Sequence, residues 1–74
     1  MKSFKIMLNS IDDVKQFVNL VTKYDFDIDL ISGRYIVDAK SIMGIFSLDL
    51  ANPIEVQIHT EDSPLFEELK PFLV

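Results

Sequence analysis

Four parts of the chain predict β-strands, and in the second and fourth of them apolar and polar residues alternate with a period of two residues. These parts are residues 4–8, 25–30, 34–38 and 54–59. In the second of them, Phe26, Ile28 and Leu30 alternate with three aspartates, which predicts a half-buried strand with a carboxylate outer face. The dipeptide Ser32-Gly33 predicts a two-residue turn that joins the second strand to the third.

Three other parts of the chain predict helices. Residues 11–22 carry a single apolar face, formed by Ile11, Val14, Phe17, Val18 and Val21. Ser10 is placed to cap this helix, and Asp13 three residues later forms a variant of the capping box. A short helix is predicted from Ser41 to about residue 49, and a last one begins at Ser63-Pro64, with Pro71 fraying or tightening its final turn.

The predicted order of elements is βαββαβα. Such a chain can bury its apolar surface as one four-stranded antiparallel sheet with three helices on one face, an α+β fold. The opposite face of the sheet would carry Asp25, Asp27 and Asp29 together with Glu55 and Gln57. Residues 1–74 form one predicted domain, without linkers or repeats.

Composition narrows the classes of function. The net charge is −5, and the acidic residues are spread along the chain, so we expect no binding to nucleic acid or to an anionic membrane surface. There is no cysteine, hence no disulfide framework. Neither a signal peptide nor a membrane-spanning apolar run is visible, and we therefore expect a cytoplasmic protein.

The run from Lys40 to Leu48 reads K-S-I-M-G-I-F-S-L and carries the most specific information in the chain. It closely resembles the regulatory-serine segment of HPr, the small histidine phosphocarrier of the bacterial sugar phosphotransferase system. Two further segments, Lys23 to Ile28 and Ile31 to Val37, resemble the end of the first HPr helix and the hairpin after it. The resemblance extends over residues 21–60 and implies the HPr-like open-faced β-sandwich, which is the fold that the residue pattern also predicts.

The first twenty residues depart from the HPr pattern. HPr proteins carry a G-x-H-A-R-P-A loop before the first helix, and its histidine accepts and donates phosphate. Here the stretch from Leu8 to Val14 has no histidine, arginine or proline. Depending on the alignment, Ser10 or Asp13 takes the histidine position, and Asp12 or Lys15 takes the arginine position. The two carboxylates suit a helix N-terminus but would repel a phosphoryl group, which predicts a degenerate corner without phosphocarrier activity.

Ser41 has two interpretations. In many low-GC Gram-positive bacteria the matching HPr serine is phosphorylated by a dedicated kinase, and the product binds a transcriptional regulator, so the resemblance implies a regulatory site. The alternative is that Ser41 is only a helix cap. The neighbouring residues Lys40, Ile42, Met43 and Phe46 correspond to a partner-docking patch, and we expect Met43 and Phe46 to be partly exposed.

Other candidate chemistry is weak. His59 is the only histidine, and if the fourth strand is antiparallel to the first it lies far from the corner at Asn9 to Asp13. The aspartates of the second strand lack the glycine and glutamate that a calcium loop requires. Asp12 and Asp13 point about 100° apart on a helix and do not form an acid–base pair. We therefore expect no cofactor, no metal and no enzymatic activity.

The resulting hypothesis is an HPr-related protein that has lost the phosphoryl-carrying histidine and acts as a regulatory or adaptor module through the Ser41 helix. Its expected partners are proteins, such as a serine kinase or a transcriptional regulator. Two alternatives stay open: a phosphocarrier that uses Ser10, Asp13 or His59 as acceptor, and a purely structural or dimerisation domain. The expected state is a monomer or a weak homodimer.

Overall fold

The computed structural model describes all 74 residues. Its elements follow the predicted order, with a 3₁₀ turn after the last helix. They are β1 (Lys2–Ile6), α1 (Ile11–Val21), β2 (Ile28–Ser32), β3 (Tyr35–Asp38), α2 (Ile42–Phe46), β4 (Ile54–Ile58), α3 (Leu65–Glu68) and the 3₁₀ turn Lys70–Phe72. The predicted α+β class with a single antiparallel sheet is confirmed.

The sheet has the strand order β1-β4-β2-β3, and every neighbouring pair is antiparallel. The central strand β4 places Ile58 between Lys2 of β1 and Ile28 of β2. At the opposite end of the same strand, Ile54 pairs with Ile6. The chain start and the end of β4 therefore lie at one end of the sheet, and the connection from β1 to α1 leaves from the other.

The core lies between one face of the sheet and the helices. Its largest fully buried side chain is Phe17 of α1, which contacts the ring of Phe72 edge-on at a centroid distance of 5.8 Å. No polar or charged residue is buried. The sheet contributes alternate residues to this core, namely Ile6, Ile28, Leu30, Ile54, Val56 and Ile58. The register places Lys5 opposite Glu55 and Asp29 opposite Gln57 on the other, open face.

The bounds of two strands, β1 and β2, differ from the prediction by two residues or more. β1 starts two residues early because Lys2 already pairs with Ile58 of β4. It ends two residues early because the N–H group of Met7 donates to the carbonyl of Phe72 at 2.9 Å instead of continuing the ladder with β4. β2 starts at Ile28, so Asp25 and Phe26 lie in the preceding loop and only Asp29 of the three aspartates is in the strand.

The turn between β2 and β3 also differs. It is formed by Gly33 and Arg34, not by Ser32 and Gly33. Gly33 has φ +59°, the only positive value in the chain. Glycine adopts this conformation without steric cost, so it suits the first central position of a two-residue hairpin turn. Ser32 and Tyr35 are therefore the pair that closes the hairpin.

The helices also differ in detail. α2 ends at Phe46, three residues early, because Asp49 accepts hydrogen bonds from the Ala51 N–H group and the Asn52 side chain and so builds a turn. Ile11 was expected on the buried face of α1, but it is 65% exposed because the first helical turn extends past the core. Ser63 Oγ accepts a hydrogen bond from the Leu65 N–H group at 3.1 Å, but α3 starts at Leu65 with Pro64 as its N-cap, one residue later than predicted. Pro71 lies in a tightened final turn, as predicted.

The two edges of the sheet are unequal. Leu73 forms a β-bridge with Ile6, and the N–H group of Val74 donates to the carbonyl of Lys5 at 3.1 Å. The C-terminal residues thus cover part of the β1 edge, whereas β3 has no backbone partner on its outer side. None of the helices has the length and hydrophobicity that crossing a bilayer requires.

Candidate functional site

The N-terminus of α1 is closed by reciprocal capping. Ser10 Oγ accepts a hydrogen bond from the Asp13 N–H group at 3.1 Å, and Asp13 Oδ2 accepts one from the Asn9 N–H group at 3.0 Å. This is the predicted capping-box variant, with the acidic side chain bonded one residue before the cap. Asp12 Oδ2 accepts a bond from Gln16 Nε2 at 2.7 Å. All three polar side chains of this corner, which was predicted to be degenerate, therefore have partners in or next to α1.

Ser41 caps α2 as predicted. Its Oγ accepts a hydrogen bond from the Gly44 N–H group at 3.2 Å. Its own N–H group donates to the carbonyl of Asp38 at 3.0 Å, and its carbonyl accepts from the Ile45 N–H group at 3.1 Å. Ser41 is thus held between the end of β3 and the first turn of α2, with its side chain half-buried.

Gly44 allows α2 to lie close to β3. A Cβ atom at this position would be 3.3 Å from Ser41 Oγ and 3.3 Å from Val37 Cβ, which is closer than carbon atoms normally pack. The glycine in the K-S-I-M-G run therefore leaves room for both the capping hydroxyl group and the neighbouring strand.

Lys40 makes contacts that its position in the sequence did not indicate. Its Nζ lies 2.5 Å from the carbonyl oxygen of Tyr24 and 2.9 Å from that of Phe26. The backbone N–H group of Lys40 donates to Asp38 Oδ1 at 2.9 Å. Two of the three donors of the ammonium group are used within the chain. Lys40 therefore fastens the loop after α1 to the turn that carries Ser41.

The outer surface of α2 is apolar. Met43 is 77% exposed and Phe46 is 43% exposed, in agreement with the exposure predicted for them. The two residues are three positions apart, so they are neighbours on the helix surface. Ile42 is half-buried against the core and Ile45 is fully buried. Of the proposed docking residues, Met43 and Phe46 are therefore the accessible ones.

A groove of about 500 Å³ joins the corner at Ser10 to α2. The sequence did not predict this groove, because Ile11 was expected in the core and Phe46 in the docking patch. We call it the corner groove. It is lined mainly by apolar residues, and its full set is Leu8, Asn9, Ser10, Ile11, Phe46, Leu50 and Ala51.

His59 lies at the other end of the sheet. It directly follows Ile58, which pairs with Lys2 beside the chain start, whereas the chain leaves β1 towards Ser10 from the opposite end. His59 Nε2 is 2.9 Å from Asp29 Oδ2 on the open face of the sheet. The structure therefore separates the only histidine from the corner, as the antiparallel pairing of β1 and β4 predicted.

A second side-chain hydrogen bond holds the loop after α1. The hydroxyl group of Tyr24 donates a hydrogen bond to Glu68 Oε1 of α3. This bond raises the pKa of Tyr24 above its usual value of 10.0, and desolvation and the negative charge of Glu68 add to the effect. The Tyr24 ring also packs on Phe26 at a centroid distance of 5.3 Å. Tyr24 and Lys40 together position the loop beside the Ser41 turn.

Comparison with known proteins decides the family. The family model described as "PTS HPr component phosphorylation site" matches residues 13–72, which is most of the chain. The chain belongs to the HPr family. The HPr match begins at Asp13, so Ser10 and Asp12 lie before it. No match was found among curated protein sequences.

Solved HPr structures have the same fold. HPr-C-His from Thermoanaerobacter tengcongensis is 25% identical with a TM-score of 0.76, and the alignment covers 92% of this chain and 84% of that protein. Phosphocarrier protein HPr from Bacillus anthracis str. Ames is 26% identical with a TM-score of 0.71, covering 99% of this chain and 94% of that one. The HPr-like fold and the family predicted from residues 21–60 are confirmed.

Proposed function

We propose that this member of the HPr family is a regulatory or adaptor module of the phosphotransferase system that does not carry the phosphoryl group. One observation carries the proposal. The only histidine, His59, lies at the opposite end of the sheet from the Ser10 corner and is hydrogen-bonded to Asp29. An HPr-type carrier needs an imidazole nucleophile at the N-terminus of the first helix, with donors that hold the incoming phosphate.

The chemistry of the corner supports the same proposal. Ser10 and Asp13 cap α1, and Asp12 is bonded to Gln16. Two carboxylates in the first turn stabilise the helix through its macrodipole, and the same two charges oppose the approach of an anionic phosphoryl group. The corner is therefore suited to closing a helix rather than to phosphoryl transfer.

The accessible apolar surface of α2 supports docking to a protein partner. Met43 and Phe46 present apolar area beside Ser41, and Phe46 continues into the corner groove next to Ile11. In this proposal a serine kinase phosphorylates Ser41 and a transcriptional regulator binds the product. Lys40 acts by holding the Ser41 turn to the loop after α1, and Ile42 acts by packing α2 on the core.

The proposal is tested by intact mass after two incubations of the full chain. With ATP and an HPr serine kinase, we expect one phosphate, which is lost in Ser41→Ala and kept in Ser47→Ala, a matched serine at the other end of α2. With phosphoenolpyruvate and the general transfer enzyme of the system, we expect no change in mass.

Two outcomes would contradict the proposal. Phosphate transferred from phosphoenolpyruvate would favour the alternative of an active carrier that uses Ser10, Asp13 or His59. A kinase adduct that persists in Ser41→Ala, or no adduct at all, would remove Ser41 as the regulatory residue. Circular dichroism of each variant is the check that the fold is retained.

A further inference from the structure

We propose that two copies of this chain pair edge to edge through β3, so that an antiparallel dimer continues the sheet. The two edges of the sheet differ in their cover and in their charge. β1 is partly covered by Leu73 and Val74, and it carries the charged residues Lys2 and Lys5. The β3 edge, defined here as Tyr35–Asp38 together with the turn residue Arg34 that precedes it, has no lysine, proline or bulge, which are the usual devices that block edge pairing.

The backbone groups that point outward from β3 follow from its register with β2. Tyr35 faces Ser32, Val37 faces Leu30, and the Ala39 N–H group donates to the carbonyl of Ile28 at 2.9 Å. In an antiparallel ladder successive residues direct their backbone groups to alternate sides. The groups of Ile36 and Asp38 are therefore directed away from β2, towards the free edge.

This alternation limits the ways in which two β3 strands can pair, because only residues with outward-directed groups can form hydrogen-bonded pairs. The register centred on Ile36 places each Ile36 opposite its copy and Arg34 opposite Asp38. Ile36 then donates and accepts across the axis, and each Asp38 N–H group meets an Arg34 carbonyl. The carbonyl of Asp38 is already engaged by Ser41. The pairing thus adds four backbone hydrogen bonds.

The side chains favour a second copy of this chain over another ligand. Arg34 carries a positive charge at one end of the edge and Asp38 a negative charge at the other, so the edge is complementary to its own antiparallel copy. The two-fold axis makes each favourable pair occur twice. A shift of two residues in either direction would place a charged side chain opposite Ile36 and lose both ion pairs.

Apolar contacts accompany these pairs. Ile36 is 66% exposed on the open face of the sheet, and in this register it packs against Ile36 of the second copy. Tyr35 is 70% exposed on the helix side and lies opposite Val37. Because the shared edge is short, the buried surface falls in the size range of weak complexes. The dimer is therefore expected to form only at high protein concentration.

The test is sedimentation analysis of the full chain from about 10 μM to about 1 mM, a range that resolves a weak dissociation constant. We expect a reversible dimer at the upper end. Arg34→Asp and Asp38→Arg each place like charges opposite one another twice, and each is expected to weaken the dimer by about tenfold or more.

An equimolar mixture of the two charge variants gives the sharpest result. In the mixed dimer the new carboxylate at position 34 faces the new guanidinium at position 38, and the unaltered Asp38 faces the unaltered Arg34. We expect the mixed dimer to be as stable as the wild-type dimer.

Asp38 also accepts a hydrogen bond from the Lys40 N–H group, so Asp38→Arg removes a contact within the chain as well. Ile36→Lys serves as a second variant that keeps this contact and places two ammonium groups together at the axis.

Lys2→Asp on the opposite edge is the matched control and is expected to leave association unchanged. A wild-type chain that stays monomeric throughout the range would overturn the proposal and leave the β3 edge to an extended peptide of another protein. It would also be overturned if the mixture associates no better than either variant alone, or if Lys2→Asp weakens the dimer equally.

Discussion

Gly44 of α2 lies directly against Val37 of β3, so that a Cβ atom on the glycine would be 3.3 Å from Val37 Cβ. This contact sets the distance between the helix that carries Ser41 and the edge strand. It also explains a glycine within a helix, where the residue otherwise lowers stability.

Substitutions at Gly44 test this contact. Gly44→Ala gains about 1 kcal/mol of helix propensity but presses on Val37 and on Ser41 Oγ, and we expect the unfolding free energy to change by less than about 1 kcal/mol. Gly44→Ile adds atoms for which there is no room, and it should lower the unfolding free energy by about 1–3 kcal/mol. Urea denaturation measures both values. Equal effects of the two variants would show that the close approach does not matter.

The cap of α2 gives a second prediction. Ser41→Ala removes the acceptor of the Gly44 N–H group and should lower the unfolding free energy by about 1 kcal/mol. Ser41→Asn, which keeps an acceptor at this position without adding charge, should retain nearly the wild-type value. If both variants lose the same free energy in urea denaturation, the hydroxyl group does not act as a cap.

Lys40 is predicted to stabilise the fold through its two carbonyl contacts. Lys40→Met keeps the apolar stem and removes the donors to Tyr24 and Phe26, so we expect a loss of about 1.5–3 kcal/mol. Lys15→Met on the exposed surface of α1 is the control and should change stability by less than about 0.5 kcal/mol. Similar values for the two variants would contradict the structural role of Lys40.

The hydrogen bond to Glu68 raises the pKa of Tyr24 above its usual value, and it predicts a pH dependence. Because the pKa is higher in the folded than in the unfolded state, this contribution to stability is complete below about pH 10 and is lost as the pH rises through the folded-state pKa. Tyr24→Phe should therefore reduce the loss of stability at alkaline pH, measured by thermal unfolding.

The same pKa can be measured directly. The chain has two tyrosines, so in a Tyr35→Phe background the absorbance of tyrosinate reports Tyr24 alone. We expect Glu68→Ala in that background to lower the pKa towards its usual value. A titration that is unchanged by Glu68→Ala would contradict the assigned cause.

Docking through α2 predicts a selective effect on a partner. Met43→Ala removes a side chain that is 77% exposed, so stability should be nearly unchanged, while the kcat/KM of an HPr serine kinase should fall by about tenfold. Tyr35→Ala, which is similarly exposed on β3, is the control for loss of apolar surface. Kinase kinetics with both variants separate docking from general exposure, and an equal fall in both would contradict the role of Met43.

The order of elements was predictable because two strands and the first helix carry their own period, and capping and turn residues mark the other elements. The boundaries were not, because they depend on contacts distant in sequence. β1 ends at Ile6 since the backbone of Met7 bonds to Phe72, and β2 begins at Ile28 where it pairs with the end of β4. The position of the turn depended on the backbone conformation of Gly33, which the dipeptide Ser32-Gly33 did not reveal.

The candidate site was predictable in its local parts. The caps at Ser10 and Ser41 and the exposure of Met43 follow from spacing along the chain. The corner groove requires the approach of Ile11 to Phe46, and the role of Lys40 requires a loop fourteen or more residues away. Such contacts leave no periodic signal in a single sequence.

The solitary imidazole of His59 offers a built-in spectroscopic label. It sits on the uncovered side of the sheet, 2.9 Å from Asp29, and no other residue contributes a signal of its type. Its proton resonances need no assignment, so a one-dimensional NMR spectrum records a ligand that binds on that side next to this ring. Ligands that occupy the helical side alone should leave the spectrum of this ring undisturbed.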